Sequence, residues 1–245
     1  MLRLERHDLP DAVGDGQRAP FEEQLAGQGR PVEFSRGEGH AGIVPDGTDK
    51  PAGFPPGPGR RLGMDFLCYH RDRPGSLPLR EQLQEEHWAY MDRYEEELIA
   101  RGPTFSDDGE LPTGSLHIVG LSDPAAARAF AFDEPNYQAG AYRDVLIRRW
   151  RNTLGRTMWE YPGGPEGGER FLVLGLGSGE PADLEPPASR DGLIAYGPLL
   201  SDDGGAWLGT AALVRAPGRE SARALLTPGR YAAVEVHPWE FGGRR

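Results

Sequence analysis

One histidine lies where a side chain could transfer protons. His87 directly precedes Trp88, in a segment whose apolar residues recur at the three-to-five-residue steps of an amphipathic helix. If Trp88 and Met91 face the interior, His87 lies at the edge of the buried stripe, about 100° from Trp88. A carboxylate beside one ring nitrogen would raise the histidine pKa and fix its tautomer, as general acid–base catalysis requires. The alternative is a surface histidine without a partner.

Three other side chains could contact a substrate. Tyr137 could hydrogen-bond a substrate oxygen, or it could pack as the aromatic residue that anchors its loop. Arg80 and Arg143 could each bind a substrate carboxylate as a planar fork, or remain solvated charges. Three further histidines lie on predicted strands at spacings that do not indicate a metal site: His70, His117 and His237. We therefore expect no metal ion and no cofactor.

The elements that position these residues alternate between strand and helix. From residue 64 to residue 150 the pattern predicts strand, helix, strand, strand, helix, strand, which is the ferredoxin-like order of an α+β fold. The first predicted elements are a strand over 64–70, a helix over 79–101 that ends before Gly102, and a short strand at Thr104–Ser106 that enters a hairpin turn at Asp107-Asp108-Gly109. They are followed by a strand over 114–121, a helix over 124–132 capped by Ser122 or Asp123, a loop over 133–140 and a strand over 141–150.

A second copy of this unit follows in the same chain. Gly102–Gly114 reads GPTFSDDGELPTG, and Gly197–Gly209 reads GPLLSDDGGAWLG, at a constant offset of 95 residues. Tyr142–Trp150 and Tyr231–Trp239 form a second matched pair of equal length. The second copy is shorter where the first has its first helix and the loop before its last strand. It has no counterpart of His87, so we expect the candidate site in the first copy.

The first copy resembles the YCII-related family of small α+β proteins. The features that carry the resemblance are His87-Trp88-Ala89-Tyr90-Met91, Gly102-Pro103, Gly114-Ser115, the loop from Glu134-Pro135 to Ala139-Gly140-Ala141-Tyr142, and Trp150. They lie within residues 64–160. The second copy resembles the family only in its Gly-Pro pair, its hairpin and its last strand.

The resemblance implies a ferredoxin-like unit that pairs, sheet to sheet, as a dimeric α/β barrel. Two copies in one chain could form that pair internally as a pseudo-dimer, and a further homo-oligomer stays possible. The predicted organisation is a flexible segment rich in glycine and proline over 1–62, a domain with the candidate site over 63–161 and a degenerate second domain over 170–245.

The resemblance also implies a histidine and an acidic residue that face each other in a cleft. In this sequence the histidine is His87, and the carboxylate is Glu134 or, one position earlier, Asp133. A few family members are linked to eliminations such as dehydrochlorination of aromatic-ring compounds. We therefore expect a cofactor-independent enzyme that catalyses an elimination, dehydration or isomerisation of a small organic molecule. The alternatives are a non-catalytic binding or scaffold protein and a cofactor-free oxygenase.

Composition argues against several other classes of function. The net charge of −11 opposes sequence-independent nucleic-acid binding, which needs a basic surface. The sequence has no apolar run of roughly 18 residues that could span a membrane, and its first residues lack the apolar core of a signal peptide. A cytoplasmic location is therefore expected. The single cysteine, Cys68, cannot form an intramolecular disulfide.

Overall fold

The computed structural model describes residues 63–177 and 179–243, so the segment predicted to be flexible, 1–62, lies outside the described residues. The described chain forms one sheet of eight strands with short helices. The strands are β1 (Met64–Asp72), β2 (Leu98–Phe105), β3 (Pro112–Leu121), β4 (Tyr142–Trp150), β5 (Arg170–Gly177), β6 (Leu193–Leu200), β7 (Trp207–Arg215) and β8 (Tyr231–Pro238). The helices are α1 (Leu77–Gln82), α2 (Gln84–Asp92), α3 (Pro124–Phe132), α4 (Pro135–Gln138) and α5 (Arg219–Arg223).

Neighbouring strands of the sheet run antiparallel in the order β2-β3-β1-β4-β6-β7-β5-β8. The first four strands, in the order β2-β3-β1-β4 with helices between β1 and β2 and between β3 and β4, form the ferredoxin-like arrangement. The last four repeat that order as β6-β7-β5-β8. The predicted α+β, ferredoxin-like class is thus confirmed for the described residues.

Two short seams make this sheet a barrel, one by joining its two four-stranded halves and the other by joining its two ends. At the first seam, β4 pairs with β6 where Trp150 lies opposite Leu199. At the second, Trp239, directly after β8, bridges to Thr104 on β2. The two outermost strands therefore contact each other, and closure of this kind protects strand edges from pairing with another chain.

The barrel interior is a packed apolar core to which both halves contribute. Because side chains alternate along a strand, Leu67 of β1 and Leu172 of β5 point inward, and both are completely buried. Trp150 and Trp239 belong to the same core and are 2% and 0% exposed. The interior is thus filled by side chains, and a site has to lie in the layer outside the sheet.

In the first half, helices cover the outer face of the sheet. Tyr90 and Met91 of α2 and Phe130 of α3 are buried against Phe66 and Cys68, the outward residues of β1. Burial of these large side chains fixes both helices on the sheet, and α2 is the helix that carries His87.

In the second half, a loop lies between β5 and β6 where the first half has α1 and α2, and the described residues 179–192 contain no helix. The Asp183 carboxylate fixes this loop, since it accepts hydrogen bonds from the Thr227 N–H (2.8 Å), the Thr227 hydroxyl (2.6 Å) and the Tyr231 hydroxyl (2.7 Å). The prediction that the second copy lacks the first helix is confirmed for these residues.

The prediction of one long helix over 79–101 was wrong. The helical segment is broken into α1 and α2, and the chain is already extended in β2 from Leu98. Leu98, Ile99 and Ala100 are 3%, 1% and 0% exposed. Three consecutive buried residues fit a strand that is covered on both faces, whereas a surface helix would expose one of them. Gly102 therefore lies within β2 and does not end a helix.

Two predicted local features are confirmed. Asp123 caps α3, because its carboxylate accepts a hydrogen bond from the Ala126 N–H at 2.8 Å. The two Ser-Asp-Asp-Gly hairpins also have equivalent bonding, since Asp108 and Asp203 each accept a hydrogen bond from the serine two positions earlier. The same four residues thus build the same turn in both halves.

The first seam generates a prediction about stability. A Cβ atom on Gly197 would overlap the carbonyl oxygen of Arg151, just beyond β4. We expect Gly197→Ala to lower the free energy of unfolding by about 1–3 kcal/mol, because the two backbones of the seam would have to separate. Urea denaturation measures the change. Gly218→Ala is the control, since its added methyl would meet only the Glu169 side chain at 3.9 Å. Equal stability of the two variants would contradict a tightly packed seam.

Candidate active site

His87 and Glu134 form a hydrogen-bonded pair in the outer layer of the first half. Nδ1 of His87 lies 2.5 Å from Oε1 of Glu134. The Glu134 side chain is completely buried, and that of His87 is 15% exposed. An ionised carboxylate only accepts hydrogen bonds, so His87 donates from Nδ1. This leaves Nε2 as the ring nitrogen that can exchange a proton with another molecule.

The local sequence fixes the position of the Glu134 carboxylate. Glu134 is the N-cap of α4, and its Oε2 accepts a hydrogen bond from the Tyr137 N–H at 2.8 Å. Its Oε1 also accepts a hydrogen bond from Nδ2 of Asn136 at 2.9 Å. The segment predicted as a loop over 133–140 thus contains one helical turn, and that turn holds the carboxylate toward His87.

Of the two carboxylates that the sequence offered, Glu134 contacts His87. Asp133 lies one position earlier, where α3 ends, and it is exposed. Consecutive residues at the junction of two helices point in different directions, and the capping bond selects Glu134 for the inward one.

Opposing effects act on the pKa of Glu134. Burial raises the pKa, but the hydrogen bond from His87, the neighbouring His87 and His70 rings, and the Tyr137 N–H together outweigh burial. The net result is a pKa below the ordinary value for glutamate. Glu134 therefore stays ionised at neutral pH and presents a full negative charge to the imidazole.

A cleft of about 290 Å³ adjoins this pair. His87 and Trp88 of α2, Arg80 of α1 and His117 of β3 line it. Phe241, which follows β8, forms part of the opposite wall. The second half therefore contributes a residue to the cleft, although His87 and Glu134 both belong to the first.

Arg80 reaches the cleft as a paired cation. Its Nη1 donates to Oδ2 of Asp72 at 2.6 Å, and its Nη2 donates to the Ser115 hydroxyl at 2.8 Å. Its side chain is only 15% exposed. Arg80 is therefore a fixed positive charge in the cleft wall, and the alternative of a solvated surface arginine was wrong.

Tyr137 and Arg143 do not line the cleft. The Tyr137 ring packs against Phe132, with ring centroids 5.0 Å apart, so this tyrosine anchors its loop and contributes to the site only through its backbone N–H. The Arg143 side chain is 57% exposed and pairs with Asp144 at 3.2 Å. The structure therefore does not bring these two predicted side chains to the cleft, because the first is held by packing and the second points into solvent.

Sequence reasoning missed His117 as a residue of the site. Its neighbour Leu116 points into the barrel, so alternation along β3 directs His117 to the outer face, beneath α2. The His117 ring centroid lies 5.7 Å from that of His87 and 5.9 Å from that of His70. Strand alternation alone could have indicated the face, but only the packing of α2 on that face brings the rings together.

Burial dominates the pKa values of the two inner histidines. It lowers the pKa of His70, although the Ala131 carbonyl and the Glu134 charge act in the opposite direction. It holds the pKa of His117 well below the usual range, and the neighbouring His87, His70 and arginine side chains add to the effect. Both rings are therefore neutral at physiological pH.

The remaining histidine of residues 63–177 and 179–243, His237, lies elsewhere, where its Nε2 pairs with Glu235 at 3.0 Å. In the described part of the chain, no group of three or more His, Cys, Asp and Glu side chains is arranged to bind a metal ion. The helices that the structure describes are all too short or too polar to cross a membrane.

Comparison with known proteins places this site in a family. Residues 64–151 match the YCII-related domain. An uncharacterized protein of Haemophilus influenzae is 30% identical over 98 residues, an alignment that covers 37% of this chain and 100% of that protein. The chain belongs to the YCII-related family. The matched residues include His87, Glu134 and all of α3, and they end one residue after β4.

Two solved structures are also similar to this YCII-related chain. One is 5-chloro-2-hydroxyhydroquinone dehydrochlorinase from Burkholderia phenoliruptrix, in complex with 2,5-dihydroxybenzoquinone. This protein is 29% identical to the chain, with a TM-score of 0.35, and the alignment covers 38% of this chain and 99% of that protein. The other is a protein from Lactobacillus acidophilus, 12% identical, with a TM-score of 0.37 and coverage of 74% of this chain and 97% of its own.

The inner histidines generate a prediction about pH. Between the lowered pKa of the folded state and about 6.5 in the unfolded state, only the unfolded chain binds these protons. We therefore expect the free energy of unfolding to be highest above pH 6.5 and to fall below it, by up to about 1.4 kcal/mol per pH unit for each histidine. Urea denaturation between pH 5.5 and 7.5 measures the slope. His117→Gln should make it shallower, and an unchanged slope in that variant would contradict a neutral, buried His117.

Proposed function

We propose that this protein is an enzyme that uses His87 as a general acid–base on a small organic molecule, in an elimination, dehydration or isomerisation. The observation that carries the proposal is the 2.5 Å hydrogen bond from His87 to a completely buried carboxylate beside a cleft. Burying an ionised carboxylate is costly unless donors satisfy it, and here a backbone N–H, an amide and an imidazole do so. That cost is understandable if the carboxylate orients and charge-balances His87.

In the proposed reaction, Nε2 of His87 takes a proton from the substrate, and the Glu134 carboxylate stabilises the imidazolium that forms. If a leaving group departs from the neighbouring atom, the net reaction is an elimination or a dehydration. If His87 returns the proton to a different atom, the net reaction is an isomerisation. The same two residues serve all three reactions, so the substrate selects among them.

The cleft walls support a ligand that is partly apolar and carries an electronegative group. Trp88, Met91 and Phe241 offer apolar surface, and Arg80 offers a positive charge. Arg80 is already held by Asp72 and Ser115, so its guanidinium needs no reorganisation to face a negative charge that develops on a substrate.

A non-catalytic binding protein is the second candidate function. Such a protein would need the cleft but not a proton carrier held by a buried carboxylate. If the distance between His87 and the nearest carboxylate were too long for one water molecule to bridge, that distance would favour a binding protein. The direct hydrogen bond between His87 and Glu134 supports the enzyme instead.

We also infer that the two halves take the place of two subunits, with the second half as a degenerate copy of the YCII-related domain. The shared strand order supports this inference. So do the seams, where Trp150 lies beside Gly197 and Trp239 lies beside Gly102 in the same way. An internal pair of this kind needs no partner chain to close the barrel.

The proposed chemistry predicts the effect of removing either member of the pair. His87→Gln and Glu134→Gln should each lower kcat/KM by at least about a hundredfold, because proton transfer in the transition state is lost. A suitable assay measures chloride release from 5-chloro-2-hydroxyhydroquinone, alongside proton exchange in a set of small hydroxy and keto compounds. Circular dichroism establishes that the variants remain folded.

Asp133→Asn is the matched control, because it removes the neighbouring exposed carboxylate and should leave turnover unchanged. Tyr137→Phe should also be neutral, since the tyrosine contributes its backbone N–H and not its hydroxyl. Turnover by His87→Gln at the rate of the natural protein would exclude His87 as the acid–base.

The wall from the second half predicts a separate effect on substrate binding. Phe241→Ala should raise KM about tenfold and leave kcat within about twofold, because it removes apolar contact without touching the proton carrier. Leu184→Ala is the control, since Leu184 is another partly exposed apolar residue of the second half, at 39% exposure. A KM that is the same in both variants would show that the second half does not contact the substrate.

A further inference from the structure

A second histidine faces the cleft in an environment opposite to that of His87. His117 is only 2% exposed, yet it lines the cleft. Its ring centroid is 5.7 Å from that of His87, so adjacent atoms of one small molecule could contact both rings. His87 has a carboxylate on its Nδ1, whereas Nδ1 of His117 is buried without a hydrogen-bond partner in the described part of the chain.

The unpartnered nitrogen indicates where the His117 proton resides. A neutral imidazole carries one N–H and one acceptor nitrogen. A buried N–H without an acceptor is rare in folded proteins, because its lost hydrogen bond with water is not replaced. A proton on Nδ1 would create that situation, whereas a proton on Nε2 would leave the N–H to serve the cleft. The geometry therefore favours the tautomer with its proton on Nε2.

The charges around His117 favour a neutral ring. His87 of α2, His70 of β1, Arg101 of β2 and Arg80 of α1 each disfavour a positive charge on its ring. Burial opposes protonation more strongly than any of them. The carboxylate of the site, Glu134, is bonded to His87, Asn136 and the Tyr137 N–H. One histidine of the cleft is thus equipped to take a proton, and the other is equipped to keep its own.

We propose that His117 is a second catalytic residue, which donates a hydrogen bond from Nε2 to the substrate oxygen that becomes negative when His87 removes the proton. The inference rests on the proposed function. The bond from the substrate to its proton breaks, the proton forms a bond to Nε2 of His87, and the electron pair moves onto the oxygen as an oxyanion. His117 keeps its proton throughout. The substrate is accordingly a small molecule with a carbonyl or acidic hydroxyl oxygen close to the proton that is lost.

Imidazole nitrogen spectroscopy on the whole natural chain tests this proposal without any turnover. With ¹⁵N-labelled protein, long-range proton–nitrogen correlations report the tautomer of His117. The signals of His117 are assigned as those that disappear in His117→Gln. We expect a neutral ring with its proton on Nε2 from pH 6 to pH 8. We also expect addition of 2,5-dihydroxybenzoquinone, a probe with carbonyl and hydroxyl oxygens, to shift the Nε2–H signal. A protonated ring, a proton on Nδ1, or a signal that the probe leaves unmoved would overturn the proposal.

Calorimetric binding of the same probe separates this role from packing. His117→Leu, which removes the donor, should weaken binding at least about tenfold, whereas His117→Gln, which retains an N–H, should stay within about threefold of the natural protein. Equal losses in both variants would assign His117 to packing and overturn the proposal. The proposed function fails by a different result, namely turnover that survives His87→Gln, so the two failures are distinguishable.

Discussion

Closure of the sheet is the constraint on which the rest of this structure depends. Four strands in the ferredoxin-like order have two faces, and helices cover one of them. The other face needs a second sheet, which the second half of the chain supplies. Trp150 and Trp239 fill the interior where the two halves meet, and glycines let the backbones approach there. Only because the inner face is sealed in this way can α2 and α3 be committed to the outer face, where the candidate site lies.

The site combines two histidines whose surroundings differ in charge and polarity. His87 is tied to a buried carboxylate, and His117 is surrounded by apolar and positive groups. Two titratable groups in one cleft with different surroundings can divide the acid–base roles between them. Here the difference depends on α4, because its capping bond holds the Glu134 carboxylate at His87.

The two halves share a strand order but differ in what covers the outer face. In the first half that layer is helical and contains the cleft. In the second half a loop held by the Asp183 carboxylate occupies the corresponding place. The second half still contributes to the cleft through Phe241, since the chain after β8 runs along β2. Under the proposed two-copy organisation, the second half has lost its own site and still supports that of the first.

The sequence by itself determined what depends on local pattern. The repeated turn, the Asp123 cap, the ferredoxin-like order and the choice of His87 all follow from short-range spacing, turn chemistry or a run of motif residues. Tertiary structure decided what depends on partners distant in the chain. Residues 98–101 are extended because the barrel buries both faces of this segment, although the spacing of its apolar residues predicted a helix. Tertiary packing brings Glu134 and not Asp133 to His87, and it brings His117 but neither Tyr137 nor Arg143 to the cleft lining. It does so because packing decides which side of an element becomes a wall of the cleft.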